Sequence, residues 1–263
     1  MTMRTDLSNS EYHAHDAISS SDVKMVAAKS LAHWKAKVYK PSALFDMGTS
    51  VHAMVLEPNE NLIVRGPEDR RGNKWKVEQA NAEANGQTLL TTGDYDLAHD
   101  IASSVIMHPI ARELHGQDII NEASFFAHDP DTGLAIKTRP DALSERTGII
   151  YDLKTCQSAN PRDFAKDVLS YGYHVQAAFY LHTLWHAGFT ANDFMFVCVE
   201  KAAPYAVSVN VLSPEYLAYG RAQMKAALSQ IRNADDTGYT TGWSDDVNTI
   251  DIPRWLDAPV DFN

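Results

Sequence analysis

A chain of 263 residues with 44% hydrophobic and 10% aromatic content can bury a sizeable core. Its formal net charge of −11 excludes a protein that coats nucleic acid by bulk attraction, and no apolar run reaches the roughly 18 residues of a membrane span. The first 30 residues lack a signal-peptide pattern, and Cys156 and Cys198 lack metal spacing, so two reduced thiols in a cytoplasmic protein are expected.

Residues 1–18 show no clear periodicity and read as a flexible arm, poorly ordered or loosely docked. Serine caps ahead of a helical pattern predict a helix over about 21–39. ALFDMGTSVHAMVL predicts a second over 43–56, stopped before Pro58. Loop is expected over 59–72, then helices over 73–85 and 92–107. The latter is opened by Thr91-Thr92-Gly93-Asp94, an approximate capping box. Strand patterns follow at 119–128, 134–143 and 148–155. Helix returns over 161–187, then strands at 194–200 and 205–212. A last helix over 214–232 has Ser213 as cap and Pro214 in its first position. No internal repeat and no long linker divides the chain. The order predicts one α+β domain over 1–263, a mixed central sheet flanked by helices, with a helical N-terminal extension.

Charge is unevenly spread. Residues 235–263 form an acidic tail with seven aspartates against Arg254 alone. RGPEDRRGNKWK at 65–76 carries Arg65, Arg70, Arg71, Lys74 and Lys76 against two acids. A second basic set, Lys24, Lys29, Lys35, Lys37 and Lys40, lies on the first predicted helix and reads as a solvated face.

The stretch RPDALSERTGIIYDLKT, 139–155, puts charge into two segments that otherwise read as buried strand. SERTG is turn chemistry, so the two strands form an antiparallel hairpin. Centring the turn between Arg146 and Thr147 sets Leu143 opposite Ile150 and Asp141 opposite Asp152. Residues so opposed have Cβ atoms roughly 4.5–5.5 Å apart. Asp152 and Lys154, two apart, share a face. Like charges directly opposed destabilise a sheet, so something positive must offset them. Lys154 or Arg139 could do so in a structural ion-pair network. A divalent cation could also do so, and two hard carboxylate oxygens suit Mg²⁺ or Mn²⁺.

Pro140-Asp141 followed by Asp152-Leu153-Lys154 resembles the PD-(D/E)xK nuclease signature. Further matches in the family's order make the resemblance more specific. Gly48-Thr-Ser-Val-His52 is similar to the GxxxH motif of the RecB-type branch, Asp152 to Thr155 to its DxKT ending, and Gln176-Ala-Ala-Phe-Tyr180 to its QxxxY motif. Glu122 stands one strand ahead of the hairpin, where that branch carries an acidic ligand. Within the branch, the whole chain resembles the nuclease domain of the RecE-type exonucleases (exonuclease VIII).

That resemblance implies a restriction-endonuclease-like core with His52, Glu122, Asp141 and Asp152 as metal ligands. It implies that Lys154 orients the attacking water and stabilises developing charge, with Gln176 and Tyr180 contacting substrate phosphate or the water network. The cofactor implied is Mg²⁺, with Mn²⁺ able to substitute and no ATP. The activity implied is exonucleolytic, 5′ to 3′ on linear double-stranded DNA ends, leaving 3′ single-stranded tails for recombination and repair in a prophage setting. A homotetrameric ring and a single-strand annealing partner protein are implied as well. Arg70, Arg71, Lys74 and Lys76 are the candidate DNA contacts on an otherwise acidic chain.

Other chemistries find little support. His182 and His186 lie four apart, but Thr183 breaks the zincin pattern. No GxxxxGK[ST] and no GxSxG occurs. The rivals are a structure- or sequence-specific endonuclease on the same core and a non-catalytic DNA-binding subunit. The intact Asp141, Asp152 and Lys154 argue against the second.

Overall fold

The structure, a computed structural model, describes residues 2–38 and 47–253. The expected first turn of helix at 43–46, Lys40, and the end of the acidic tail with Arg254 lie outside the described residues. The chain opens with β1 (Thr2–Arg4), α1 (Asn9–Ala14), α2 (Ser20–Ala28), α3 (Leu31–Lys35) and α4 (Met47–Leu56). Next come β2 (Ile63–Arg65), α5 (Asn73–Ala84), β3 (Thr88–Leu90), α6 (Thr92–Met107) and a 3-10 turn at Ala111–His115. Then follow β4 (Ile119–Asn121), β5 (Ser124–His128), β6 (Ala135–Thr138), β7 (Ala142–Ser144) and β8 (Ile149–Cys156). The chain continues through α7 (Pro161–Ser170), α8 (Tyr173–His186), β9 (Asp193–Glu200), β10 (Val207–Val211) and α9 (Pro214–Thr237).

The central sheet is five-stranded and mixed, in the order β10-β9-β8-β7-β4. Among its described strands only the β8–β9 pair is parallel, and the helical crossover α7–α8 that such a pair requires lies between them in sequence. Two smaller sheets accompany it, β1-β5-β6 and the parallel pair β2-β3. The sequence predicted a single sheet, because the three-residue strands β1, β2 and β3 are too short to show a period.

Alternation along β8 and β9 divides the core. Ile150, Phe194, Phe196 and Cys198 face α2, α7, α8 and α9. Tyr151, Leu153, Val197 and Val199 face α4 and α6 on the other side. Asp152 and Lys154 therefore emerge on the α8 side, in step with Ile150. No helix among the described residues is long and apolar enough to cross a membrane.

Local chemistry sets most helix limits. Thr91 accepts from Asp94 N at the start of α6, and Ser213 from Tyr216 N at the start of α9, with Pro214 in the first turn. Helix α9 runs to Thr237, five residues beyond the expected end, and stops at Gly238 in the left-handed conformation. The first part of the expected acidic tail is thus helix. The next part lies against α3, where Ala32 N–H donates to the Thr241 carbonyl.

Two expected helices are broken. Ser30 accepts from His33 N and restarts the chain as α3, dividing 21–39. Gly172, with φ of 65°, divides 161–187 into α7 and α8. Residues 1–18, read from the sequence as a flexible arm, carry β1 and α1 here. Tyr12 is buried, and the ammonium of the buried Lys137 donates to the carbonyls of Tyr12 (2.5 Å) and His15 (2.6 Å). Arg139 donates to the Leu7 carbonyl at 2.9 Å and lies over the Tyr12 ring.

Candidate active site

The expected strands at 119–128 and 134–143 are both broken, and the breaks coincide. β4 pairs with β7 in the central sheet, while β5 pairs with β6 in the three-stranded sheet. One antiparallel ribbon therefore serves two sheets and turns between them at Glu122 on one strand and Arg139-Pro140-Asp141 on the other. Glu122 has φ of 51°, a left-handed backbone that a non-glycine residue holds at a cost of about 1–3 kcal/mol. Its N–H donates to the Asp141 carbonyl at 3.2 Å, which closes the corner. Pro140 has no N–H to lose at the break.

Register places the hairpin carboxylates. Ala142 pairs with Tyr151 and Leu143 with Ile150, so Asp141 stands one step beyond the ladder, opposite Asp152. Asp141 Oδ2 accepts from Leu153 N at 2.7 Å. From α4, His52 Nε2 donates to the Leu153 carbonyl at 2.7 Å, which fixes the tautomer and leaves the Nδ1 lone pair 3.6 Å from Asp141 Oδ2. One ligand atom each from His52, Glu122 and Asp141 lies within 4.8 Å of the others. Gly48, one turn before His52, lines the same cleft.

Asp152 stands beside that trio rather than in it. Its side chain is almost fully buried. Oδ1 accepts from Gln176 Nε2 at 2.5 Å, and Oδ2 is ion-paired with the Lys154 ammonium. Lys154 also lies 4.9 Å from the centre of the Tyr173 ring. Tyr180 donates to the Arg139 carbonyl at 3.3 Å, at the ribbon's break. Gln176 and Tyr180, expected to contact substrate phosphate or the water network, lie on α8, where Gln176 bonds to Asp152 and Tyr180 to the Arg139 carbonyl at the turn into Asp141. Arg139, a candidate counter-ion for the aspartates, is turned away to Ser124 Oγ and the Leu7 carbonyl.

The charges do not balance. Glu122 and Asp141 crowd together beside Asp152, and the Lys154 ammonium lies against Asp152. Burial, then Asp141 and Glu57, push the Glu122 carboxyl up to about 8. Burial and Asp152 raise Asp141 above its ordinary value. Burial pulls Lys154 down, but Asp152 and Asp141 outweigh it and hold the ammonium above its ordinary value. Carboxylates crowded together at Glu122 and Asp141, the buried Asp152 beside them, and an imidazole with its lone pair turned inward form a donor set that fits a hard divalent cation.

The site opens into a cleft of about 750 Å³ whose walls include Leu7, Ser8, His52, Glu122, Arg139 and Lys154. The docked N-terminal segment is thus part of the cleft. The candidate DNA contacts lie outside it. Arg70 pairs with Asp94 at 3.1 Å and Arg71 with Asp69 at 3.3 Å, while Lys74 and Lys76 are exposed on α5. Sequence reasoning missed Tyr173 as a neighbour of Lys154, although it lies three residues before Gln176 on one helix face. It also placed Lys24 on a solvated face. Lys24 is instead half-buried, 5.7 Å from the centre of the Tyr173 ring, and burial and Lys154 lower it to about 8.

Residues 10–251 match the family described as a PDDEXK-like domain of unknown function (DUF3799). A search of curated proteins returned no match. Among solved structures, a “Putative exonuclease” from Eubacterium rectale superposes with a TM-score of 0.59 at 13% identity, covering 95% of this chain and 97% of that one. That likeness shows a shared fold. The crystal structure of SSO0001, with a TM-score of 0.32 at 14% identity over 79% of this chain and 84% of its own, is too distant to carry an argument. Matched over nearly its whole length and built on the restriction-endonuclease-like α+β core, the chain belongs to the PDDEXK-like family of unknown function.

Proposed function

We propose that the protein is a Mg²⁺-dependent exodeoxyribonuclease that degrades linear duplex DNA from its ends. The observation that carries this reading is the convergence of His52, Glu122 and Asp141 within 4.8 Å, beside an Asp152–Lys154 pair, in an open cleft. His52, Glu122 and Asp141, with Asp152 adjoining, would hold the cation. When bound, it would polarise the scissile phosphate and lower the pKa of water at the site. Lys154, held as a cation by its two aspartates, orients the nucleophile and offsets charge developing on the phosphate oxygens. Gln176 fixes Asp152, and the Leu153 carbonyl fixes the His52 tautomer.

Action from DNA ends is supported by the resemblance to RecE-type exonucleases and by the name of the Eubacterium rectale protein. The same resemblance supports 5′ to 3′ polarity, 3′ tails for recombination, a tetrameric ring and an annealing partner. The test is incubation with end-labelled linear duplex and with covalently closed circles, with and without Mg²⁺. Linear DNA should lose its 5′ label only with Mg²⁺, and circles should survive. Prompt cutting of circles would establish an endonuclease instead. Binding without hydrolysis of either substrate would leave a DNA-binding subunit.

A further inference from the structure

Next to the catalytic cleft, on the far side of the end of α4, lies a second cavity of about 260 Å³. The two share Ala53, Glu57, Leu62 and Ile63 as a common wall. Across this cavity, α6 presents Tyr95 and His99, four residues apart on one face, with ring centres 6.4 Å apart and planes within 16° of parallel. Met54 and Ile106 add apolar surface, and the Glu57 carboxylate sits at the junction with the cleft.

We propose that this cavity is a nucleobase subsite, in which one unpaired base of the strand held in the cleft stacks on the Tyr95–His99 ledge and gives an N–H to Glu57. The inference rests on the nuclease reading above and adds a base-contacting site to it. Three features select this ligand. Among the described residues no lysine or arginine lines the cavity and Glu57 does, so it repels phosphate and accepts a neutral group that carries N–H donors. Its volume falls just under the ~300 Å³ floor for drug-sized ligands, which suits one ring system better than a whole nucleotide. Aromatic ledges hold single-stranded bases of any sequence, because every base has a π face.

The cavity also lies on a path. β2 leads from Ile63, in the wall shared with the cleft, to Arg65, which pairs with Asp96 beside Tyr95 at 2.8 Å. The exposed Arg71 and Lys74 follow after that strand. A strand led from the catalytic carboxylates along β2 toward Arg65 would pass the mouth of the cavity with one base turned in.

The test is an abasic scan. Single-stranded oligonucleotides with an abasic residue at successive positions are titrated into the protein in Ca²⁺, which supports binding while hydrolysis is slow. In the wild type, base removal at one position should weaken binding roughly 5- to 150-fold, the usual range for one stacked base. In Tyr95→Ala that loss should shrink severalfold, because the base keeps only His99 and Glu57, while the intact strand binds correspondingly less tightly. Tyr95→Leu, which keeps apolar volume without the ring, should behave the same way and guards against a folding defect in the alanine variant. A flat scan in the wild type, or a loss that persists unchanged in both variants, overturns the subsite. If DNA is bound and degraded but the scan is flat, only this inference fails. If DNA is neither bound nor degraded, the nuclease reading fails with it.

Discussion

His52 and Leu153 are joined by a hydrogen bond of 2.7 Å, imidazole Nε2 to backbone carbonyl, which ties helix α4 to strand β8. The same residue, Leu153, gives its N–H to Asp141. One peptide segment of β8 thus orients two of the three groups gathered at the site. His52→Ala should therefore weaken divalent-cation affinity by about 10- to 100-fold, with partial rescue by higher Mn²⁺. Activity measured across a metal titration checks this, and an unchanged metal dependence would return His52 to a packing role.

Asp152→Asn keeps the side-chain volume and removes the charge that faces Lys154. Hydrolysis should be abolished while the melting transition survives. Lys154→Ala should leave metal binding largely intact and lower turnover by orders of magnitude. It also leaves a buried carboxylate unpaired, a loss that costs about 3–5 kcal/mol for buried pairs, so its melting temperature should fall. Near-normal rates in both variants would mean that the chemistry lies elsewhere.

Glu122 predicts a pH dependence of the metal-free protein. Its carboxyl titrates near 4.5 when unfolded and near 8 when folded. Between those values the folded state keeps a proton that the unfolded state has lost, so stability falls as pH rises through the window and levels off above 8. Asp141, also raised by burial and Asp152, acts in the same direction. Thermal melts in EDTA should fall with pH over this range, each kcal/mol being worth roughly 2–4 °C for a chain of this size. Added Mg²⁺ should stabilise most at the high-pH end, where protons no longer compete for the carboxylates. Glu122→Gln should flatten the EDTA profile, and an unaltered slope in that variant would show that Glu122 is not its source.

Arg139 ties the N-terminal segment to the ribbon that carries Asp141. It donates to Ser124 Oγ and the Leu7 carbonyl, and its guanidinium lies 4.5 Å from the centre of the Tyr12 ring. Arg139→Lys keeps the charge and loses the planar fork. A loss of about 2–3 kcal/mol is expected, with faster amide exchange confined mainly to residues 2–14. Exchange unchanged in that segment would mean that Lys137 alone holds it.

Much of the site could be read from spacing. Hairpin arithmetic set Leu143 against Ile150 and Asp141 opposite Asp152, because register follows from a period of two and the position of one turn. Ser213 and Pro214 marked the start of α9 in the same local way. The corner at Glu122 and Pro140 could not be read. Apolar residues continue on both sides of it, and only pairing with distant strands shows that β4 and β5 belong to different sheets. The docking of residues 2–18 was hidden for a like reason. It depends on Lys137 and Arg139 bonding to backbone carbonyls far away in the chain, which leaves no mark on the arm's own residue types.

If one cluster both holds the cation and hydrolyses DNA, Asp141 is the residue whose loss should end both, since its Oδ2 meets both the Leu153 N–H and His52. The measurement is a calorimetric titration of Mn²⁺ into wild type and Asp141→Asn, with hydrolysis of linear duplex followed on the same samples. The account predicts Mn²⁺ binding and degradation in the wild type, and loss of both in a variant that still melts cooperatively. Undiminished degradation by Asp141→Asn, or Mn²⁺ binding unchanged by the substitution, would contradict it.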